Sequence, residues 1–196
     1  MPDDAALTRL ALAARHGDRD AATELVHHTY QQVWRVLVVL SNRRVAEDLA
    51  QETYARAFRS LPGFRAESSV RAWLLAIARR VAADDIRTAR IRPRTDPHTG
   101  VEETEMAAPG DLSESVALYS LLDQLEPDRR LAFVLTQLIG LSYAETAQVC
   151  GCPVGTVRSR VARARDDLAA RISPNPSRTG LPPSPPAESP CRGLPG

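Results

Sequence analysis

The stretch LSYAETAQVCGCPVGTVRSRVARARDDL, residues 141–168, predicts two helices joined by a tight turn. Ser142 and Glu145 have the capping-box spacing, in which each side chain satisfies a backbone N–H at the other position. Gly151 can adopt the left-handed conformation that ends a helix, and Pro153 suits the first turn of the next helix. We therefore expect a short helix, a sharp turn and a longer second helix.

The second of these helices combines an apolar stripe with an arginine-bearing face. Its apolar residues recur at the spacing of one helical face: Val154, Val157, Val161, Ala164 and Leu168. The other side and its flanks carry small residues and arginines: Gly155, Arg158, Ser159, Arg160, Ala162 and Arg163. Such a face is typical of a recognition helix in the DNA major groove. An amphipathic helix with solvated arginines is the alternative, but the preceding capped helix and glycine turn favour a helix-turn-helix.

The net charge of +1 hides a strong segregation of charge along the chain. All 25 basic residues are arginine, and residues 56–94 contain ten of them against three acids. Residues 95–128 contain nine acids and no arginine, whereas residues 154–171 contain five arginines against two acids. Two basic blocks separated by an acidic one predict two polyanion-binding modules joined by a segment that avoids the polyanion.

Composition also excludes several classes of protein. No apolar run approaches the roughly 20 residues of a membrane span, and the N-terminus lacks a signal-peptide pattern. We therefore expect a cytoplasmic protein without membrane insertion. The three cysteines do not form a disulfide framework, and with the four histidines they do not supply a convincing metal-ligand set. We expect neither a metal nor a cofactor.

Apolar periodicity predicts an all-α chain, and no segment has a strand pattern. Helices are expected at about residues 3–15, 20–40, 45–61, 69–92, 113–125 and 127–140 before the helix-turn-helix, the 113–125 helix being capped by Ser113. In the last of these, Leu131, Val134, Leu135 and Leu138 are expected to face inward. Residues 94–112 are predicted to be a flexible acidic linker, and the proline-rich tail, residues 173–196, is predicted to be disordered. The result is two small helical domains, residues 1–93 and 113–172, the second ending in the helix-turn-helix.

Three motifs in this order resemble the bacterial extracytoplasmic-function (ECF) RNA polymerase sigma factors. They are AEDLAQETYARAF (46–58), SSVRAWLLAIARRVAADDIR (68–87) and GLSYAETAQVCGCPVGTVRSRVARARDDL (140–168). The resemblance covers about residues 25–172, and the third motif is most similar to the actinobacterial sigma-C branch. It implies a non-enzymatic initiation factor that binds core RNA polymerase and directs it to a small set of promoters. Residues 1–93 would be sigma domain two, and residues 113–172 would be sigma domain four.

The resemblance also implies three sets of contact residues. The polymerase β′ clamp helices would bind the outer face of the third helix, which consists of Glu47, Asp48, Gln51 and Glu52. The β flap would be a second polymerase contact. The −10 element, with one flipped-out base, would meet a loop and the basic helix that follows it: Arg65, Ala66, Glu67, Ser68, Ser69, Arg79, Arg80 and Arg87. Family members often carry Asn in place of Arg80, which leaves the −10 base preference open. The −35 element would meet Arg158, Ser159, Arg160, Ala162 and Arg163.

Two other classes of protein remain as alternatives. A free-standing helix-turn-helix regulator that needs no polymerase explains the second domain, but it leaves the long basic helix and the AEDLAQET face unused. An enzyme such as a nuclease would need a cluster of acids for metal chemistry, and the adjacent Asp84 and Asp85 point in different directions on their helix. An anti-sigma factor is open as a further partner.

Overall fold

A computed structural model describes the backbone of residues 3–91 and 112–172 and the side chains of residues 3–89 and 118–172. Within these ranges there is no strand, so the all-α prediction is confirmed. The helices are α1 (Asp4–Arg15), α2 (Arg19–Leu40), α3 (Ala46–Ser60), α4 (Val70–Ile91), α5 (Leu112–Asp123), α6 (Pro127–Phe133), α7 (Tyr143–Cys150) and α8 (Val154–Ile172). The predicted tail and the predicted linker apart from Leu112 lie outside these described residues. The backbone of Ser113 lies within α5, and the side chain that would form the predicted cap is outside the described side chains.

Helices α1–α4 form the N-terminal half, and aspartate side chains cap the first two of them. The Asp3 carboxylate accepts a hydrogen bond from the Ala6 N–H at 2.7 Å, and Asp18 accepts two at the start of α2. Helix α1 packs on α2, and both α2 and α3 pack on α4. The apolar stripe of α4 is buried among these helices. The loop before α4 and the C-terminal end of α4 remain accessible.

Helices α5–α8 form the C-terminal half, and α6 does not continue as the single helix that the sequence predicts. It passes into a π-helical turn at Val134–Leu138, in which the Ile139 N–H donates to the Val134 carbonyl at 3.0 Å. The extra residue in this turn rotates the chain, so that Ile139 is 7% exposed while Leu138 is 39% exposed. The inward placement predicted for Leu138 is therefore wrong.

The helix-turn-helix forms as the sequence predicts. The Ser142 N–H donates to Glu145 Oε2 at 2.9 Å, and the Glu145 N–H donates to Ser142 Oγ at 3.2 Å, which completes the capping box. Gly151 ends α7 with a φ of +65°. A small apolar cluster then fixes α8 against α6 and α7: Ala132, Ala147, Val157 and Val161.

The two halves share one apolar core. Buried residues of α2 and α4 are contiguous with Leu135, Ile139 and Val149 of the C-terminal half. The contact between the halves is made mainly by α7 against α4 and by α6 against α2. The first helix of the helix-turn-helix therefore packs directly on the long basic helix.

The turn between α7 and α8 provides a test of backbone strain. A Cβ at Gly151 meets open space, but its positive φ is unfavourable for any L-residue with a side chain. We expect Gly151→Ala to lower the free energy of unfolding by about 1–2 kcal/mol. The control Gly155→Ala, inside α8 and also in open space, should raise it by up to about 1 kcal/mol. Urea unfolding measures both values, and equal effects of the two substitutions would contradict this account.

Candidate nucleic-acid and polymerase interfaces

One face of α8 presents an exposed set of side chains above its buried stripe. Val157, Val161 and Ala164 are buried, which fixes the rotation of the helix about its axis. Four of the five predicted −35 residues lie together on the accessible side: Arg158, Ser159, Ala162 and Arg163. The Ser159 hydroxyl donates to the Thr156 carbonyl at 2.9 Å, so it lies close to the helix backbone. A small, positively charged surface results.

Arg160 does not belong to this exposed surface. Its guanidinium forms an ion pair with Asp128 at the start of α6 and contacts Cys152 Sγ at 3.5 Å. At the other end of α8, Arg129 donates to Asp167 at 2.9 Å. These pairs bind α8 to α6, so Arg160 supports the position of α8 in this structure, and its DNA contact stays a prediction.

The loop from Phe64 to Ser69 precedes α4 and has an exposed middle. Phe64 is buried, and its ring centroid lies 4.9 Å from that of Trp73. Arg65, Ala66 and Glu67 are exposed, and Ala66 has a φ of +56°, which is unusual for a residue with a side chain. Four of the predicted −10 residues are accessible in part or in full along this loop: Arg65, Ala66, Glu67 and Ser68.

The three predicted −10 arginines of α4 are not on one surface. Arg80 and Arg87 are exposed, whereas Arg79 is half-buried where α4 faces the end of α7. There its charge acts on the Cys150 thiol. Burial raises the pKa of that thiol to about 11, and the charges of Arg79 and Arg160 partly oppose the shift. Arg79 is therefore close enough to α7 for its charge to act on Cys150.

Ser69, the last predicted residue of the loop, lies at the contact between the halves. Its hydroxyl donates to Glu145 Oε1 of α7 at 2.5 Å. Beside it, Arg71 donates to the Ile139 carbonyl at 2.5 Å and to Gln32 Oε1 at 2.9 Å. One end of the predicted −10 surface is thus occupied by the C-terminal half.

Arg71 was not among the predicted site residues, although the sequence contains a signal for it. It occupies the first turn of α4, where the positive end of the helix dipole disfavours a cation. Its side chain is only 16% exposed. A cation in such a place requires nearby acceptors, and the Ile139 carbonyl and Gln32 supply them.

The Glu145 carboxylate accepts hydrogen bonds both in the cap of α7 and across the contact between the halves. Burial by itself would raise its pKa, but the hydrogen bonds from Ser69 and Ser142 and the charge of Arg71 outweigh burial. The pKa of Glu145 therefore lies below its ordinary value. At a pH above the ordinary pKa of a glutamate, the carboxylate is ionised and stabilises the contact between the halves. This stabilisation is lost as the pH falls through the lowered pKa of Glu145.

The predicted polymerase-binding face is the outer side of α3. Glu47, Asp48 and Gln51 are exposed there. Glu52 differs, because it accepts from Arg56 Nε at 2.7 Å and from Arg59 at 3.3 Å. Arg56 also donates to Asp84 of α4 at 2.6 Å. The hydrogen bonds from Arg56 lower the pKa of Glu52 and of Asp84. Because Arg56 contacts both carboxylates, the network joins α3 to α4.

Residues 3–91 and 112–172 contain no group of three or more His, Cys, Asp or Glu side chains that could hold a metal ion. No helix within the described part of the chain is long and apolar enough to cross a membrane.

The helix-turn-helix with its exposed arginines, together with a basic helix and an acidic helix face, is typical of a helical DNA-binding protein. Comparison with known proteins gives the family. Residues 12–91 match the family described as Sigma-70 region 2, and residues 115–168 match Sigma-70, region 4. The chain is 49% identical over 178 residues to the ECF RNA polymerase sigma factor SigC of Mycobacterium tuberculosis, covering 88% of this chain and 95% of SigC.

Two solved structures are similar to this chain over most of its length. CnrH in complex with the cytosolic domain of CnrY has a TM-score of 0.67 and 26% identity, covering 85% of this chain and 97% of CnrH. RpoE from Bartonella quintana in complex with the anti-sigma factor NepR has a TM-score of 0.65 and 28% identity, covering 76% of this chain and 94% of RpoE. The chain belongs to the ECF family of RNA polymerase sigma factors. It is a non-enzymatic initiation factor that acts with core RNA polymerase at promoters.

Proposed function

We propose that this sigma factor uses α8 for the −35 element, the loop before α4 with the outer arginines of α4 for the −10 element, and the outer face of α3 for the polymerase. The observation that carries the proposal is the exposure of four predicted −35 residues on one face of α8. The domains would span residues 1–93 and 113–172, and the family matches at 12–91 and 115–168 support these bounds. Because polymerase and promoters are cytoplasmic in bacteria, the protein would act there.

The −35 contact follows from the chemistry of the exposed face of α8. Arg158 and Arg163 can donate paired hydrogen bonds to guanine edges or bind phosphates. Ser159 and Ala162 are small, so the backbone of the helix can come close to the base edges. Arg160 would act indirectly, since its ion pair with Asp128 fixes α8 against α6.

Arg163→Ala tests the −35 assignment. We expect a loss of about 1–3 kcal/mol of discrimination among −35 sequences, because a base-contacting guanidinium is removed. The measurement is run-off transcription by reconstituted holoenzyme from a randomised promoter library. Arg165→Ala is the matched control, since Arg165 is exposed and donates to Gln137 at 2.7 Å within the same half. Unchanged −35 preference in Arg163→Ala would contradict the assignment.

Complete −10 recognition would require α7 to move away from α4. Ser69 donates to Glu145 of α7, so its hydroxyl is engaged while the halves are packed together, and Arg79 is half-buried in the same arrangement. Arg65, Glu67 and Arg80 are exposed in the same arrangement. We infer that binding of polymerase separates the halves before the whole −10 surface is used.

Glu145→Gln tests this separation. Glutamine can still complete a capping box, but it removes the negative charge that accepts from Ser69 and that Arg71 stabilises electrostatically. We expect the free variant to bind a labelled −10 single strand several-fold more tightly than the native protein at pH 7. This difference should shrink as the pH falls through the lowered pKa of Glu145. Glu24→Gln, an exposed change on α2, is the control. Equal −10 binding by all three proteins would exclude the proposed blocking.

The polymerase contact would be made by Glu47, Asp48 and Gln51, while Glu52 would support α3 through Arg56. We expect Asp48→Arg to weaken binding to core polymerase at least tenfold with only a slight fall in unfolding temperature, because a cation in the first turn of α3 is mildly unfavourable. Glu52→Arg should weaken binding and also lower the unfolding temperature, because it places a cation beside Arg56 and Arg59. Glu24→Arg is the control for an exposed charge reversal. Normal assembly of Asp48→Arg with core polymerase would remove this face from the proposal.

Co-purification with core polymerase followed by run-off transcription separates the sigma assignment from a free-standing regulator. A sigma factor gives transcripts only when core polymerase and this protein are both present. A free-standing regulator would bind its operator and alter transcription by a holoenzyme containing another sigma factor. Because CnrH and RpoE were solved with the cytosolic domain of CnrY and the anti-sigma factor NepR, we include a protein of that kind among the proposed partners.

A further inference from the structure

The loop between α3 and α4 is attached to α1, a helix for which the sequence predicts no contact with DNA or polymerase. Arg15, the last residue of α1, donates from its terminal guanidinium nitrogen to the Phe64 carbonyl at 3.0 Å. Phe64 is held at two further points, because its N–H donates to the Leu61 carbonyl at 3.0 Å and its ring packs on Trp73. The start of the loop is therefore fixed by its backbone, its ring and a side chain from α1.

Beyond Phe64 the loop has few attachments of its own. The charged atoms of Arg65 and Glu67 are 4.0 Å apart, and about four fifths of each side chain is exposed, so this pair constrains the loop little. The next firm attachment is Ser69, whose hydroxyl accepts from the Ala72 N–H at 3.3 Å. Residues 65–68 therefore span a gap between two anchors.

The backbone within this gap has an unfavourable conformation. Ala66 has a φ of +56°, and a left-handed conformation persists only where its surroundings impose it. Because the side chains of residues 65–67 are exposed, the anchors at the loop ends impose it. Loss of one anchor should let the backbone at Ala66 relax and turn the side chains of Arg65 and Glu67.

We propose that Arg15 is a positioning residue for −10 recognition, because it fixes the Phe64 carbonyl and thereby the direction in which residues 65–68 face a flipped-out base. This inference rests on the proposed −10 role of the loop. Arg15 touches no DNA in this account. A purely structural role is the competing explanation, because a cation in the last turn also stabilises α1.

Three variants distinguish these roles. Arg15→Met keeps the length of the side chain but removes the donor, and Arg15→Lys keeps both a charge and a donor. Arg9→Met removes an exposed arginine from the same helix and is the control. Reconstituted holoenzyme is assayed on templates with each base substituted through the −10 element. The free proteins, in a Trp34→Phe background, are assayed by acrylamide quenching of Trp73, which reports the packing of Phe64 without DNA or polymerase.

We expect Arg15→Met to reduce the preference for the best −10 base at least fivefold and to increase quenching of Trp73. Core affinity and −35 preference should be unchanged, the unfolding temperature should fall only slightly because α1 loses the cation of its last turn, and Arg15→Lys should restore part of the −10 preference. An unchanged −10 preference in Arg15→Met would overturn the inference. A general fall in unfolding temperature and in all activities together would also overturn it, in favour of a structural role.

Arg65→Ala and Glu67→Ala separate this inference from the −10 assignment on which it rests. If both leave the −10 preference unchanged, the loop does not read the −10 element and the proposed function fails. If either alters the preference while Arg15→Met does not, the loop keeps its −10 role and only the positioning role of Arg15 fails.

Discussion

Burial of the apolar residues of α4 is the constraint on which the rest of the structure depends. Helices α1, α2 and α3 cover this helix from the N-terminal half, and α7 covers it from the C-terminal half. Among the described side chains of α4, the exposed ones are those of Arg80, Ala83 and residues 86–89. The proposed −10 residues are accordingly divided between the loop that precedes α4 and the exposed Arg80 and Arg87 on the helix itself.

Local features were predictable because they depend on residues close together in sequence. The capping box of Ser142 and Glu145, the left-handed Gly151 and the buried stripe of α8 each follow from spacings of a few residues. The π-helical turn after α6 was not predictable in this way. It is held by the Ile139 N–H and by packing of Val134 and Leu135 in the shared core, which depends on helices distant in sequence.

Ion pairs between residues distant in sequence decide which of the candidate site residues are exposed, and helical periodicity cannot predict these pairs. Periodicity groups Arg160 with Arg158 and Arg163, yet Asp128, 32 residues earlier, draws its guanidinium away from the exposed face. Glu52 likewise belongs by spacing to the face of Glu47 and Asp48, but Arg56 and Arg59 hold its carboxylate. The roles of these faces came from the family resemblance, because an exposed arginine or acid does not by itself identify its partner.

The two oxygens of the Glu145 carboxylate accept hydrogen bonds from different parts of the molecule. Oε2 accepts from the backbone and side chain of Ser142 within α7, and Oε1 accepts from Ser69 across the contact between the halves. Parting of the halves would break only the bond at Oε1 and leave the N-terminal cap of α7 intact. The cap that begins the helix-turn-helix therefore does not depend on the contact with α4, and it can hold the first turn of α7 whether α7 rests on α4 or stands apart from it.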